Sequence, residues 1–304
     1  MSMRLSPVII SALILPCAAQ AQSPVPQPPI NLGLASFMDA EGGVGTLVQL
    51  QNTAYKATRS VDAAGDRVPG HFRQEAQTSL LHVAYTTPYV AAGGHVGFEA
   101  LVPFTNVDLD APGLDASRFG VGDLILGAFI QWTNLAVGGD RLAVRGDFVV
   151  VAPTGQYSAD KPLNAGFNVW ELAPYVAVTW HVSEKWEISS RFTYNWNAVN
   201  DSPATALDAR STQAGQQASL NVGASRALLK EWRLGVSGYR LQQLADSKID
   251  GVPLRGFRQR LWGAGPGALW SDGHWSAVAN VFKEFGARNR PEGYQAVLRV
   301  MAVF

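Results

Sequence analysis

Twelve segments of the chain alternate between apolar and polar residues, and this two-residue period constrains the fold more than any other feature. They span residues 45–57, 73–87, 94–106, 119–132, 141–152, 167–181, 185–198, 214–226, 231–243, 259–270, 274–285 and 293–304. In "EKWEISSRFTYNW", for example, an aromatic and aliphatic face opposes a face that carries Glu187 and Arg191. A two-residue period is typical of β-strands, because successive side chains point to opposite faces. The chain is therefore predicted to be all-β.

The lengths of the connections favour one all-β architecture. Five links are short, whereas the links after strands 1, 3, 5, 7 and 9 are longer; "RSVDAAGDRVPGHF" and "VDLDAPGLDASR" are examples. The link between strands 11 and 12 is a short exception. Short turns on one rim and long loops on the other predict an antiparallel up-and-down transmembrane β-barrel of the outer membrane, with the short turns in the periplasm. The alternative, a soluble β-sandwich, does not account for this asymmetry.

The composition agrees with a membrane barrel. Charged residues make up 16% of the chain, against roughly 25% in soluble domains. Hydrophobic residues reach 47%, yet outside the first residues there is no apolar run of about 18 residues that predicts a transmembrane helix.

Three parts of the chain are predicted. Residues 1–21 resemble a secretory signal peptide, with Arg4, the apolar run "VIISALIL" and the cleavage pattern "AQA". A lipoprotein signal at Cys17 and a short buried helix are the alternatives. Residues 22–44 are rich in proline and predict a periplasmic arm or a plug, and residues 45–304 form the barrel. We expect the protein in the outer membrane of a Gram-negative bacterium. Cys17 is the only cysteine, so disulfides and thiolate metal sites are excluded from the mature chain.

Aromatic residues fall near the predicted strand ends. Trp170 and Trp180 lie ten residues apart, as do Trp186 and Trp196. Ten tilted strand residues climb roughly 25 Å, the height of the apolar band between the two aromatic girdles of such barrels. The predicted girdle consists of Trp132, Trp170, Trp180, Trp186, Trp196, Trp232, Trp262, Trp270, Trp275 and Phe304.

Charged residues on the polar faces are predicted to line the lumen. They are five acids and three bases: Glu99, Asp123, Asp147, Glu171, Glu187, Arg145, Arg191 and Arg299. Charges of both signs argue against a strongly ion-selective pore.

The last strand is expected to pair with the first, because an open sheet edge cannot be satisfied in lipid. Phe304 on this alternating strand resembles the signal read by the barrel-assembly machinery, so this machinery is an expected partner beside outer-membrane lipid.

Catalytic and cofactor sites are not expected. The five histidines, His71, His82, His95, His181 and His274, show no metal-binding spacing. Glu99 and His95 share a predicted face but lie ~13 Å apart, and no nucleophile motif stands near them. The formal net charge is zero, which gives no indication of nucleic acid as a partner.

Several stretches resemble the family of phenol meta-pathway degradation proteins, which are outer-membrane transporter-like barrels. They are "YKATRSVDAAGDRVPG", "GGHVGFEALVPF", "GVGDLILGAFIQW", "RGDFVVVAPTGQY" and the final "AVLRVMAVF". The resemblance implies a channel or uptake protein for small organic compounds, including aromatic ones. It supplies no catalytic residues. The alternatives are a sealed structural or surface-interaction barrel and, third, an outer-membrane enzyme.

Overall fold

A computed structural model describes residues 23–304, which form a closed antiparallel β-barrel. The predicted signal peptide, residues 1–21, lies outside the described residues. In chain order the strands are β1 (Gly45–Val61), β2 (Arg73–Ala91), β3 (Gly94–Ala111), β4 (Leu114–Val121), β5 (Leu124–Val137), β6 (Asp140–Ala152), β7 (Glu171–Leu172), β8 (Tyr175–His181), β9 (Trp186–Asn197), β10 (Val199–Asn200), β11 (Thr212–Gln213), β12 (Gln217–Ala227), β13 (Trp232–Gln243), β14 (Lys248–Ile249), β15 (Val252–Pro253), β16 (Arg260–Ser271), β17 (Trp275–Arg288) and β18 (Arg290–Val303).

Twelve transmembrane segments close the barrel within residues 23–304. Two of them are interrupted strands, β4 with β5 and β7 with β8, and the four short strands β10, β11, β14 and β15 form a separate sheet from the long loops. The remaining strands each form one segment. β18 pairs with β1 from Leu47↔Val303 to Val61↔Arg290, so the sheet has no free edge along this seam. The predicted fold class and the number of strands are confirmed.

The two rims differ as the sequence predicts, with one exception. On the short-turn rim the links between barrel strands contain two to four residues, such as Gly138 and Gly139 with φ of 59° and 97°. Positive φ at both central residues suits the twist of a tight hairpin. On the opposite rim, the long-loop rim, residues 153–170, 198–216 and 244–259 form the longest connections.

The exception is the link between the third and fourth segments, where the predicted long loop is wrong. β3 and β4 pair from Phe104↔Val121 out to Ala111↔Leu114, which leaves a two-residue turn. The acids of "VDLDAPGLDASR" alternate with apolar residues, so the strands continue as a hairpin beyond the membrane band. The sixth segment likewise starts at Glu171 rather than 167, after Asn168 with a φ of 56°.

The outer face of the barrel carries a band of exposed apolar side chains. It includes Val48, Leu50, Leu81, Val83, Phe98, Leu126, Phe148, Val176, Ile188, Phe192, Leu220, Val236, Val281, Leu298 and Val300. Phe192 is 51% exposed, whereas Thr193 beside it is 4% exposed. An apolar surface that encircles the whole molecule is suited to lipid and not to water. Among residues 23–304, no helix is long and apolar enough to cross a membrane.

The interior is filled on one side by the N-terminal arm, residues 23–44. Leu32 packs with Tyr239, Leu241, Leu261 and Phe282 in the largest buried apolar cluster. The core of this barrel is therefore shared between the inner wall and the arm.

Candidate functional site: the lumen beside the arm

The arm runs through the lumen from the long-loop rim to the short-turn rim. At its start, Gln27 Nε2 donates to Ser247 Oγ (2.7 Å), in the loop before β14. At its end, Glu41 contacts both His181 and Arg141 near the short turns. The arm contains no strand, so its peptide groups need partners from the wall.

Side chains of β12 and β18 form hydrogen bonds with the backbone of arm residues 31–33, in the half of the arm nearer the long-loop rim. Gly33 N donates to Asn221 Oδ1 (2.7 Å), and Asn221 Nδ2 donates to the carbonyl of Asn31 (3.0 Å). Gln295 Nε2 donates to the carbonyl of Leu32 (2.7 Å). Amide side chains that face the lumen thus replace the neighbouring strand that the arm lacks.

Wall side chains also form hydrogen bonds with the backbone of arm residues 39 and 40, nearer the short-turn rim. Ala40 N donates to Thr179 Oγ1 (3.0 Å), Gln131 Nε2 donates to the carbonyl of Ala40, and Asp39 N contacts Ser189 Oγ. Ala40 and Thr179 are both fully buried. The arm is therefore fixed by hydrogen bonds at two levels of the barrel.

Phe37 anchors the arm between these two levels. Its ring is 2% exposed and packs against Leu269 and Val278. Gly223 leaves room for it, since a Cβ at this position would lie 3.2 Å from Phe37 Cδ1 and from the Ser36 backbone. Such a contact is tighter than normal van der Waals packing, so glycine at 223 makes the groove for the arm.

An ion pair joins the arm to β9 near Phe37. Arg191 donates to both carboxylate oxygens of Asp39, with Nε–Oδ2 at 2.8 Å and Nη2–Oδ1 at 3.1 Å. The Arg191 guanidinium also lies 4.0 Å from the centre of the Tyr175 ring. Two-point binding with a planar stack fixes the Asp39 carboxylate in one orientation.

A second charged cluster lies on the inner face of β2, β3 and β6. Glu99 Oε2 lies 3.1 Å from His82 Nε2 and 3.7 Å from Arg145 Nη1. Arg145 Nε donates to Gln131 Oε1 (2.6 Å), and its guanidinium stacks on Phe129 at 4.0 Å. This cluster joins the wall to the arm, because Gln131 also binds Ala40.

The eight predicted lumen residues lie on the inner face, where five of them line the cavity described below and three are buried in the wall. Glu99, Arg145, Glu171, Arg191 and Arg299 line the cavity described below. Arg299 Nη2 donates to Ser36 Oγ of the arm (2.8 Å), and Asn195 donates to Glu171.

The remaining three are buried in the wall. Asp123 accepts from the backbone N–H groups of Gly155 (2.8 Å) and Phe167 (2.7 Å), which ties the loop 153–170 to the barrel. Glu187 accepts from Ser189 and Ser225. Asp147 is 5% exposed and lies next to Glu99 across Gly127.

Sequence reasoning missed the two acids of the arm and His82. Asp39 and Glu41 are the acids of residues 22–44, which contain no Lys or Arg. The sequence did contain a signal for these contacts, because an arm that carries only acids is expected to bind the three arginines predicted to line the lumen.

A cavity of about 1030 Å³ lies between the arm and the inner wall of the barrel, and β1, β2 and β3 contribute to its lining. Arg191, Gln295 and Arg299, which bind the arm, line it as well. We call β1, β2 and β3 the open wall, and we call β8, β9, β12, β13, β16, β17 and β18, which carry most of the arm contacts, the covered wall. The open wall contributes Leu47, Gln49, Gln51, Thr53, Leu80, His82, Ala84, Glu99 and Leu101 to the lining. The lining also includes Ser276 at the short-turn rim and Leu163 in a long loop, so it reaches both rims.

The ten predicted girdle residues lie on the outer face or at its ends. Trp132, Trp180, Trp186, Trp232, Trp270, Trp275 and Phe304 lie near the short-turn rim, and Trp170, Trp196 and Trp262 lie near the long-loop rim. Trp132 Nε1 donates to the carbonyl of Ala92 and Trp180 Nε1 to Asp140, each at 3.0 Å. Among residues 23–304, no cluster of three His, Cys, Asp or Glu residues is arranged to hold a metal ion.

Solved structures with the same fold are outer-membrane barrels. An outer membrane channel from Pseudomonas putida F1 matches with a TM-score of 0.77 and 21% identity, over 91% of this chain and 100% of that chain. The transport unit of the autotransporter AIDA-I from Escherichia coli matches with a TM-score of 0.52 and 10% identity, over 94% and 96%. The β-domain of the Bordetella autotransporter BrkA matches with a TM-score of 0.50 and 12% identity, over 86% and 100%. Comparison with curated protein sequences finds no match.

The closed barrel, its apolar outer band and these matches identify an outer-membrane β-barrel. Residues 57–300 match the family described as "Putative MetA-pathway of phenol degradation". This match covers most of the chain and confirms the resemblance that the sequence motifs indicate. The chain belongs to this family.

Proposed function

We propose that this barrel is an outer-membrane channel through which small organic solutes, aromatic ones included, pass between the arm and the open wall. The observation that carries the proposal is the cavity of about 1030 Å³, whose lining reaches from one rim to the other. The family description, which names phenol degradation, and the similar fold of the Pseudomonas putida outer membrane channel support it.

The chemistry of the lining indicates the class of solute. Leu80 and Leu101 present apolar surface, while Gln49 and Gln51 present amide groups on the neighbouring strand. Small-molecule sites combine apolar walls with a few polar groups that fix orientation. An aromatic ring with one hydroxyl or carboxylate group matches such a surface better than a sugar, which needs a hydrogen bond at every hydroxyl.

The arm acts in this proposal as a fixed partition that narrows the lumen. Its contacts with Ser247 near one rim and with His181 near the other support a fixed position. A twelve-stranded barrel has room for small solutes, and the arm reduces that room to a path along one wall.

Uptake into proteoliposomes tests the proposal. Benzoate is the better probe, because neutral phenol crosses lipid without protein, and a pentose of similar mass is the comparison solute. We expect the mature chain to accelerate benzoate uptake over protein-free vesicles, and more strongly than pentose uptake. Ala84→Leu is expected to slow it, because Ala84 is an inward residue of β2 that lines the cavity. A folded barrel that leaves benzoate uptake at the protein-free rate would instead favour a sealed structural barrel.

We also propose that β18 is read by the barrel-assembly machinery. The strand alternates up to Phe304, which is 68% exposed on the outer face and lies edge-on to His274 at 5.3 Å. Phe304→Ala is expected to reduce the amount of barrel in the outer membrane while leaving refolding in detergent unchanged. Equal amounts of both proteins in the outer membrane would contradict this.

A further inference from the structure

A second cavity, of about 500 Å³, opens at the long-loop rim, and four arginines contribute to its lining. Its lining includes Arg255, Arg258, Arg260 and Arg288, and one acid, Asp246. The arginines come from the loop between β15 and β16 and from the ends of β16 and β17. This cavity is separate from the lumen.

Arg260, which lines this cavity, lies on the outer face of the barrel. Arg260 is exposed and precedes Leu261, which is fully buried in the interior cluster. Trp262, on the same face as Arg260, is 42% exposed and belongs to the aromatic girdle of this rim. Arg260 and its strand partner Arg288 therefore lie just beyond the apolar band, at the depth of lipid headgroups.

Two of the arginines are placed directly opposite each other. Arg260 pairs with Arg288 in the register of β16 and β17, after a register shift between Arg260 and Trp262. Gly286, with a φ of 63°, lies in the shifted part of β17. Like charges opposite each other on neighbouring strands are destabilising unless an anion lies between them.

The chain itself supplies few anions for this cluster. Asp246 pairs with Arg258 (2.7 Å), while within the described part of the chain neither Arg255 nor Arg260 forms an ion pair. Asp62 lies nearby, but its Oδ1 already accepts the backbone N–H groups of residues 64–66. The cluster therefore keeps an excess of positive charge.

The Arg288 guanidinium is fixed by one hydrogen bond, and a further arginine lies on the neighbouring girdle tryptophan. Arg288 Nη1 donates to the carbonyl of Ala63 (2.9 Å), and its buried Nε has no hydrogen-bond partner. Arg240 stacks over Trp262 at 4.7 Å and adds a further cation on the outer face. Guanidinium groups arranged in this way suit the oxygens of a phosphate.

We propose that this cavity binds a phosphate group of the phosphorylated glycolipid that forms the outer leaflet of the outer membrane, lipid A. Arg260 lies on the membrane side of the wall, at headgroup depth, and the site lies outside the solute path. The bound lipid neutralises the Arg260–Arg288 pair and fixes the loop 244–259 to the rim.

Binding of lipid A to the refolded mature chain in detergent tests the site. The probes are bis-phosphorylated lipid A, dephosphorylated lipid A and inorganic phosphate, measured by native mass spectrometry and by titration. We expect tighter binding of the phosphorylated lipid than of the dephosphorylated lipid. The double variant Arg260→Ser/Arg288→Ser is expected to bind the phosphorylated form about tenfold more weakly or worse, because charge-assisted hydrogen bonds are lost.

Arg226→Ser is the matched control. Arg226 is also an exposed strand arginine over a girdle tryptophan, 5.8 Å from the Trp186 ring, but it lies at the short-turn rim. Its replacement is expected to leave lipid A binding unchanged. Folding of every variant is checked by heat-modifiable gel mobility, and Arg255→Ser, in the exposed loop, replaces the double variant if that variant does not fold.

Three results would overturn the proposal. They are equal affinity for phosphorylated and dephosphorylated lipid A, equal weakening by Arg226→Ser, and displacement of the lipid by inorganic phosphate at matched concentration, which would indicate a site for free anions.

Discussion

The open wall and the covered wall of the barrel present the same kind of outer face but differ inside. On the covered wall, Asn221, Arg191 and Gln295 bind the arm. The small residues Thr179, Ser189 and Gly223 leave room there for its backbone. On the open wall, Gln51 and His82 line the cavity. One alternating pattern thus encodes a uniform lipid surface, while the inward residues that bind the arm decide where it lies and where space remains.

The largest expected effect tests whether the two walls are equivalent on the outside. Phe192→Arg on β9 and Leu81→Arg on β2 each place a charge in the apolar band, where both side chains are exposed to lipid. Each is expected to lower the free energy of unfolding by ~2–4 kcal/mol, as measured by urea titration in lipid vesicles. A loss for only one of them would show that the other side chain does not face lipid.

The next effect concerns the ion pair that holds the arm to the covered wall. Arg191→Glu places a carboxylate against Asp39 and near Glu99, so we expect the arm to detach, the single-channel conductance to rise and the reversal potential to shift toward cations. The charge swap Asp39→Arg/Arg191→Glu should restore the original conductance, and Arg226→Glu on the outer face should leave it unchanged. Unaltered reversal potentials for Arg191→Glu would mean that this residue does not line the conducting path.

A smaller effect compares matched changes of side-chain size on the two walls. Gly223→Leu fills the groove against Phe37 on the covered wall and should displace the arm, which raises the conductance. Ala84→Leu fills the cavity on the open wall and should lower the conductance. Changes in the same direction in single-channel recordings would contradict the division into two walls.

The smallest effect concerns acids at the ends of each wall. Asp62, after β1, and Asp272, after β16, accept backbone N–H groups, and these hydrogen bonds lower the pKa of both carboxyl groups. Because the pKa is lowered in the folded state, the stabilisation is present above the ordinary pKa and is lost as the pH falls through the folded pKa. Asp272 is exposed and Asp62 is half-buried in a surface turn, so Asp62→Asn and Asp272→Asn should each reduce the acid sensitivity of unfolding only slightly, in the range below about pH 4. A large change for either variant in urea titrations at pH 3 and pH 7 would contradict this.

The outer face was predictable from the sequence because it depends on local periodicity. Phe192 and Trp186 face outward for the same reason that Arg191 faces inward, namely that successive side chains alternate. The prediction of a long loop at "VDLDAPGLDASR" was wrong because the acids of this stretch were interpreted as loop residues. The strands of a hairpin that extends beyond the membrane can carry charge on both faces.

The arm position was not predictable because it depends on contacts between distant residues. Asp39 and Arg191 are separated by 152 positions, and Gly33 and Asn221 by 188. Alternation assigns Arg191 to the inner face but does not say which acid it meets. Asp123 shows the same limit, because its inward direction was predicted but its role in holding the loop 153–170 was not.

The most direct test of a solute path beside the arm is a single-channel recording of two cysteine variants during treatment with a thiol reagent. Cys17 is the only natural cysteine, so a chain that begins at residue 22 provides an unreactive background. Thr53→Cys places the thiol on the open wall in the cavity, and Thr179→Cys places it on the covered wall beneath Ala40, where Thr179 is fully buried. If solutes pass beside the arm, a bulky methanethiosulfonate reagent is expected to reduce the current through Thr53→Cys and to leave the current through Thr179→Cys unchanged. Block of Thr179→Cys with no effect on Thr53→Cys, or no discrete current in either folded variant, would contradict a solute path between the arm and the open wall.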